Sequence, residues 1–337
     1  MYFKINIFEC KMNYIFPEII EYQPYSICNA NCSYCPVGSL NRQFHVKGEP
    51  IKDEILLKLI NDTKGMSIKR ISPHLNCEPL LAKNLAHQIN LWRKAHPKAK
   101  ISLSSNCVFL TNEKLLELVE AGLNELECHY MGISKSFHEN AMKTNFEKVT
   151  NNIINAFNFK KQKKLNVKMY IFSHRMKGAS LNQWYEFAKK FKSIGAEFTL
   201  GPLWNRAGYY GSEFKNIKTG IIKSSKPHPC QKPYNQIAIE ANGEVILCSL
   251  DYGHDVKIGN VMDETIENIW NNKVMKKYRD GQNNPNQLAK LDLCSTCIRG
   301  GRYLLNENKL TNLVNKNYQG KFKNFAYKGF LKLADYL

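Results

Sequence analysis

Cysteine spacing carries the most chemical information in this sequence. Cys28, Cys32 and Cys35 fall in one short stretch, "CNANCSYC", as Cys-x3-Cys-x2-Cys. Cys230 and Cys248 follow far downstream as Cys-x12-Gly-x4-Cys, and Cys294 and Cys297 close the set as Cys-x2-Cys. The first group is one thiol short of a closed tetrahedral site. A structural zinc site would want a fourth Cys or His, and the nearest histidine, His45, has no ligand spacing to the group. Three thiolates with an open position suit a [4Fe–4S] cluster whose fourth iron takes an outside ligand. Four thiolates suit either zinc or iron–sulfur, and spacing alone admits both. The other cysteines, Cys10, Cys77, Cys107 and Cys128, read as small buried side chains.

Such groups need a scaffold, and the chain supplies a repeating one. From about residue 19 to 201, strand-like and helix-like segments alternate. "EIIEYQPYSI" reads as the first strand and runs into the first cysteine group. "SIKRISPHL", "AKISLSS", "NELECHYM", "NVKMYIFS" and "AEFTLGPL" read as five more strands. Between them lie amphipathic helices: "DEILLKLI" opening at Asp53, "KNLAHQINLWRKA", "TNEKLLELVEAG" from Thr111 to Gly122, a long helix opened by a Thr144/Glu147 capping box, and one capped by Ser180 and Gln183. Six β–α repeats of this kind imply a parallel sheet with crossover helices, hence an α/β protein. Ligands in such sheets bind beyond the carboxyl ends of the strands, where the first cysteine loop lies. After a Gly-rich, basic stretch, "YNQIAIEANGEVILCSLDY" reads as a hairpin turning at Asn242-Gly243. "DETIENIWNNKVMKKYR" is amphipathic, with Ile266, Ile269, Trp270 and Val274 on one side.

The 337 residues suffice for one or two domains, and the 43% apolar content is that of a globular chain. No run approaches the roughly 18 apolar residues of a membrane span, and Lys4, Glu9 and Lys11 break the N-terminal stretch, so a cytoplasmic location is expected. Eleven cysteines in that compartment point to metal rather than disulfides. The formal charge of +19 comes largely from lysine, clustered at Lys160 to Lys164 and along Lys309 to Lys332. It could mark a polyanionic partner, but no nucleic-acid motif accompanies it and solvated faces explain it as well.

Cys28, Cys32 and Cys35, with Tyr34 before the last, after the first strand of a β–α repeat chain, resemble the radical S-adenosylmethionine (SAM) superfamily. The resemblance implies a partial (β/α)6 TIM-like barrel in which the three thiolates hold a [4Fe–4S] cluster and its open iron takes the amino and carboxylate groups of SAM. Reductive cleavage of SAM then gives a 5′-deoxyadenosyl radical that abstracts hydrogen from substrate. "NCEPLL" resembles the family's Gly-Gly-Glu-Pro segment, with Glu78 at the position that meets the SAM amino group and Asn76 and Cys77 in place of the glycines. "SSNC" resembles a Thr-Asn-Gly segment near the SAM ribose, with Ser105 and Asn106 matching. Tyr34, Glu78, Ser105 and Asn106 are thus the expected SAM-binding residues. "GPLWNRAGYYG" resembles a segment of relatives with a C-terminal cluster domain, and places Arg206 within reach of SAM or substrate. The downstream cysteines resemble the SPASM and twitch domains of the superfamily, small α+β units. Since no cysteine follows Cys297, the shorter twitch-like form with one auxiliary [4Fe–4S] cluster on Cys230, Cys248, Cys294 and Cys297 is expected. The expected organisation is a core over 15–205, a linker over 206–229, a cluster domain over 230–302 and a basic tail over 303–337.

The four-cysteine spacing is close to that of twitch-type alcohol dehydrogenases of aminocyclitol antibiotic biosynthesis. That likeness implies oxidation of a sugar, cyclitol or related glycan alcohol, with the auxiliary cluster accepting an electron. The expected proton-handling residues are His129, Tyr130 and Arg206, with Glu127 beside them. A low-potential donor of the flavodoxin or ferredoxin type is implied. Two alternatives stand beside this reading. One is modification of a peptide or protein, for which the 27 residues before Cys28 leave little room for a leader-binding domain. The other is a zinc-stabilised RNA-binding protein without catalysis.

Overall fold

The computed structural model describes residues 16–43, 47–176, 178–201, 203, 206–209, 230–297 and 305–306. Most of the expected linker, the basic tail apart from two residues, and Cys10 lie outside these described residues.

Six parallel strands form the centre: β1 (Ile19–Tyr22), β2 (Arg70–Pro73), β3 (Lys100–Ser105), β4 (Glu125–His129), β5 (Lys168–His174) and β6 (Glu197–Gly201). Each neighbours the next in sequence, as β–α repeats require. The connecting helices are α1 (Val37–Gln43), α2 (Asp53–Asp62), α3 (Leu85–Ala95), α4 (Asn112–Glu120), α5 (Lys135–Met142), α6 (Phe146–Lys163) and α7 (Leu181–Lys192). The α/β class and the partial barrel expected from the sequence are present.

The strands divide their two faces by alternation. Ile20, Tyr22, Ile71, Ile101, Leu126 and Ile171 are buried in the apolar core. Their neighbours along the chain, among them Glu21, Ser72, Ser102, Ser104, Glu127 and Tyr170, line a polar cavity. A parallel sheet with both faces packed would read as continuous apolar runs. The polar alternation here marks an interior kept open.

Some local expectations need correction. The cap of α6 is Asn145, whose side chain accepts from the Lys148 N–H at 2.7 Å, while Thr144 instead bonds His138 Nε2 at 2.9 Å. A capping-box pattern was satisfied one residue too early, and a buried histidine competes for the threonine hydroxyl. Helices α1 and α5 carry no long apolar period and were not expected.

The C-terminal part opens with the short α8 (Lys232–Asn235) and the hairpin β7 (Gln236–Ile239) and β8 (Glu244–Ile246), turning at Asn242-Gly243 as expected. A third strand, β9 (Lys257–Asn260), pairs antiparallel with β8. Strand β7 pairs in parallel with β1, so this part extends the central sheet at its β1 edge rather than forming a sheet of its own. The amphipathic stretch after it is two helices, α9 (Ile266–Asn271) and α10 (Lys273–Gln282), because Asn272 caps the second. Helix α11 (Pro285–Leu288) leads to Cys294 and Cys297. At the opposite edge β10 (Leu305–Asn306) pairs antiparallel with β6. No helix among the described residues is long and apolar enough to cross a membrane.

Candidate active site

The first cysteine loop runs from the end of β1 into α1. Its shape is set by backbone contacts: the Ser33 N–H donates to the Ala141 carbonyl at 2.8 Å and Cys35 N–H to that of Cys32 at 3.1 Å. The end of α5 therefore braces the loop. Gly38 makes the close approach possible, since a Cβ there would lie 2.8 Å from Asn31 Cα. Cys28, Cys32 and Cys35 line one cavity of about 510 Å³ at the carboxyl ends of the strands. Burial raises all three thiols, Cys32 to about 12; at Cys28 the other two thiols add to the rise, while the Arg206 guanidinium opposes it at Cys32 and Cys35. Buried thiols of this kind give up their protons only to a cationic partner, and an iron–sulfur unit provides one.

Glu78 ties the loops after β2 and β3 together. Its Oε1 accepts from Ser105 Oγ at 2.7 Å and Leu80 N–H at 3.1 Å, and its Oε2 from the Asn106 N–H at 2.8 Å. Burial pushes the carboxyl up, and these donors pull it back. Its Oε2 keeps a lone pair for one further donor on the cavity side. Asn106 Nδ2 reaches Asn29 Oδ1 at 2.9 Å and the Cys28 sulfur at 3.8 Å, so the SSNC segment touches the cysteine loop directly. Of the two residues that stand in place of glycine, Asn76 has φ 46°, the left-handed region that glycine enters freely and asparagine with modest cost, whereas Cys77 does not adopt it; Cys107, after Asn106, has φ 62°. The structure thus gathers Tyr34, Glu78, Ser105 and Asn106 around the same cavity as the three cysteines.

On the sheet side, the cavity is bounded by a linked set on β4 and β5. Glu127 Oε1 lies 2.6 Å from His129 Nε2 and accepts from Ser104 Oγ at 3.1 Å, while its Oε2 accepts from Tyr170 Oη at 2.6 Å. Burial works to raise this carboxyl, but the His129 ring and the two hydrogen bonds prevail and hold it at about 2. Glu127 is therefore an anion, and His129 is the group it orients. Tyr130 does not join them. As the next residue after β4 it points the other way, buried against Phe146, Phe187 and Phe191, with its hydroxyl on Thr150. Strand alternation excludes it from the cavity, which corrects the expectation drawn from "HY" as a pair.

Arg206 lies at the rim. Its Nε donates to the Tyr34 carbonyl at 3.2 Å, Nη1 to Tyr252 Oη at 3.5 Å, and Nη2 lies 3.4 Å from His174 Nε2. It joins the first cysteine loop, the end of β5 and the C-terminal part. His174 and Tyr252 escaped the sequence reading. His174 carried a signal, since it ends a strand on the functional side as His129 does. Tyr252 carried none, because only the tertiary fold brings it there.

The four downstream cysteines, expected as a second ligand group, face one another across a single cavity. Cys230, Cys248, Cys294 and Cys297 line a small cavity of about 30 Å³. Burial raises Cys248 and Cys294 to about 12; Lys232 opposes the rise at Cys248, and Gln282 opposes it at Cys294. The turn at 206–208 closes this cavity too: Ala207 lines it, and Thr296 Oγ1 donates to the Ala207 carbonyl at 2.8 Å. The segment expected as a linker therefore begins with an ordered bridge between the two cysteine sites.

The fold is an open parallel sheet with one cysteine-lined cavity at its carboxyl end and a second cysteine site packed beside it, an α/β protein with two thiol-lined sites. Comparison with known families agrees. Residues 22–174 match the model of the radical SAM superfamily, and residues 230–298 that of SPASM, an iron–sulfur cluster-binding domain. The chain therefore carries a radical SAM domain and a SPASM-type domain. The families imply a [4Fe–4S] cluster and SAM at the first site and auxiliary iron–sulfur at the second, and the thiol sets described above fit both. The chain is similar, at 24% identity over 281 residues, to the S-adenosyl-L-methionine-dependent 2-deoxy-scyllo-inosamine dehydrogenase of Niallia circulans, covering 83% of this chain and 92% of that one. Its fold is similar to BtrN in complex with AdoMet and 2-DOIA, with TM-score 0.60, 22% identity and coverage of 86% and 99% of the two chains. It is also similar to Streptococcus suis SuiB bound to precursor peptide SuiA, with TM-score 0.59, 15% identity and coverage of 78% and 67%.

Proposed function

We propose that this chain is a radical SAM dehydrogenase that oxidises a secondary alcohol of a polyhydroxylated ring, a cyclitol or sugar, to a ketone. The observation that carries this reading is the junction of two environments. The SAM-side cavity shares Glu21, His74, Ser104, Glu127 and Lys232 with the polar cavity inside the sheet, of about 470 Å³. Hydroxyl, carboxylate, imidazole and ammonium groups line it, as recognition of a small polyol requires. The likeness to a named cyclitol dehydrogenase over most of both chains supports the same substrate class.

When bound, the first cluster with SAM supplies a radical that takes a hydrogen atom from an alcohol carbon, and the auxiliary group accepts the remaining electron. The chain itself must take the hydroxyl proton. His129 is placed to do so. With its Nε2–H donated to Glu127, its Nδ1 is the ring's acceptor, and the anionic Glu127 stabilises the imidazolium that forms. Tyr34, Glu78, Ser105 and Asn106 hold SAM, and Arg206 fixes the rim. An external flavodoxin or ferredoxin would supply reducing electrons. Thiolate-held clusters need a compartment that keeps thiols reduced, so we place the protein in the cytoplasm.

The test is His129→Asn. Ketone formation should fall about 10²- to 10⁴-fold, the usual worth of a positioned base, while SAM is still cleaved to 5′-deoxyadenosine. Equal loss of both products would overturn the role given to His129.

A further inference from the structure

Lys232 lines the SAM-side cavity, the polar cavity inside the sheet and the small cavity of the four auxiliary cysteines. Its ammonium is tethered, donating to Ser249 Oγ at 2.8 Å and Gln236 Oε1 at 2.9 Å, with Glu21 Oε2 at 3.8 Å. Ser249 follows Cys248 directly, so the tether fixes the charge beside that ligand. The backbone N–H of Lys232 points the same way, donating to the Cys230 sulfur at 3.5 Å. Its side chain is largely withdrawn from solvent, 17% exposed, so water screens the charge weakly.

We propose that Lys232 is the positioning residue that couples substrate oxidation to the auxiliary site: its fixed ammonium, between the substrate cavity and Cys248, favours the electron-rich state of the group held by Cys230, Cys248, Cys294 and Cys297. The direction follows from charge. Adding an electron to a site of four thiolates is opposed by their negative charge and helped by a nearby cation. In the overall oxidation one hydrogen atom leaves the alcohol carbon, the hydroxyl proton goes to His129, and one electron goes to the auxiliary group. Lys232 takes no part in these transfers and acts only by its charge.

The inference rests on the reading that the four thiolates hold a redox-active iron–sulfur group, and the experiment separates the two. Full-length chain carrying Cys28→Ala, Cys32→Ala and Cys35→Ala, reconstituted with iron and sulfide, isolates the auxiliary group. Absence of iron there would sink the prior reading. With iron present, the ratio of reduced to oxidised group is read spectroscopically at fixed potential in the presence and absence of Lys232→Met. The expected result is a fall of about tenfold, equal to 59 mV for one electron, with Lys232→Arg restoring most of it. An unchanged ratio with iron retained overturns the inference. If Lys232→Met holds no iron, Ser249→Ala decides: it frees the ammonium without removing it and should shift the ratio the same way by less, and an unchanged ratio there likewise overturns it.

Discussion

Glu127 shows how one residue's surroundings set its role. Burial works to neutralise it, yet His129 and Tyr170 keep it charged. Glu127→Gln keeps the shape but removes the anion that stabilises protonated His129. Ketone formation should fall by about 10²-fold or more, with iron content and SAM cleavage retained, as a single-turnover assay of both products would show. Asn76 makes a second case. At φ 46°, Asn76→Gly should preserve SAM binding, whereas Asn76→Val forces a β-branched residue into the left-handed region at a cost of about 1–2 kcal/mol. Equilibrium binding of SAM should weaken roughly tenfold for Val alone. The cysteine ligands and Glu78 were legible in the sequence because spacing and local motif carry them. His174 and Lys232 were not, because their roles come from which distant elements pack beside them.

At the scale of elements, the alternation along β1 to β5 does two tasks: one face builds the core and the other lines the substrate cavity. That alternation is written in "IIEY", "KISLSS" and "ELECH". Six strands were legible because each lies between amphipathic helices. Helices α1 and α5 were not, since their stability comes from packing against the cysteine loop rather than from an apolar period. The packing of α1 is tight enough to test. Gly38→Ala would press a methyl group onto the Asn31 backbone, an overpacking cost of about 1–3 kcal/mol. The first site should then retain less iron than the second. Gly208, at φ 96° with Thr296 Oγ1 2.8 Å from any Cβ, should show the opposite preference: Gly208→Ala disturbs the second site first.

Across the whole molecule, the C-terminal part is joined to the core by β7 alongside β1, by the turn at 206–208 between the cysteine sites, and by the Ile266 N–H donating to Asp62 Oδ2 at the end of α2. Two domains read from a change in sequence pattern therefore share one sheet, a fact that strand pairing decides and local sequence does not. The fold also predicts an acid limit. His138 is buried, and burial lowers its pKa from 6.5 to about 4. Its folded state binds the proton less readily than the unfolded chain. The stability it contributes is complete above pH 6.5 and is lost as pH falls toward 4. Glu127, held at about 2, adds a loss in the same direction below its ordinary 4.5. The thermal midpoint should thus drop between pH 7 and pH 5, and His138→Phe should flatten that part of the curve.

The fate of a single hydrogen atom decides the reaction. Anaerobically reconstituted, reduced protein, with about eight iron per chain for two clusters, is given SAM and a cyclitol or amino-cyclitol deuterated at its alcohol carbons. Deuterium should appear in 5′-deoxyadenosine, with one ketone per labelled deoxyadenosine. Deoxyadenosine that carries no deuterium from any polyol, but takes it from a deuterated peptide, would rule out polyol oxidation and move the chain to peptide modification.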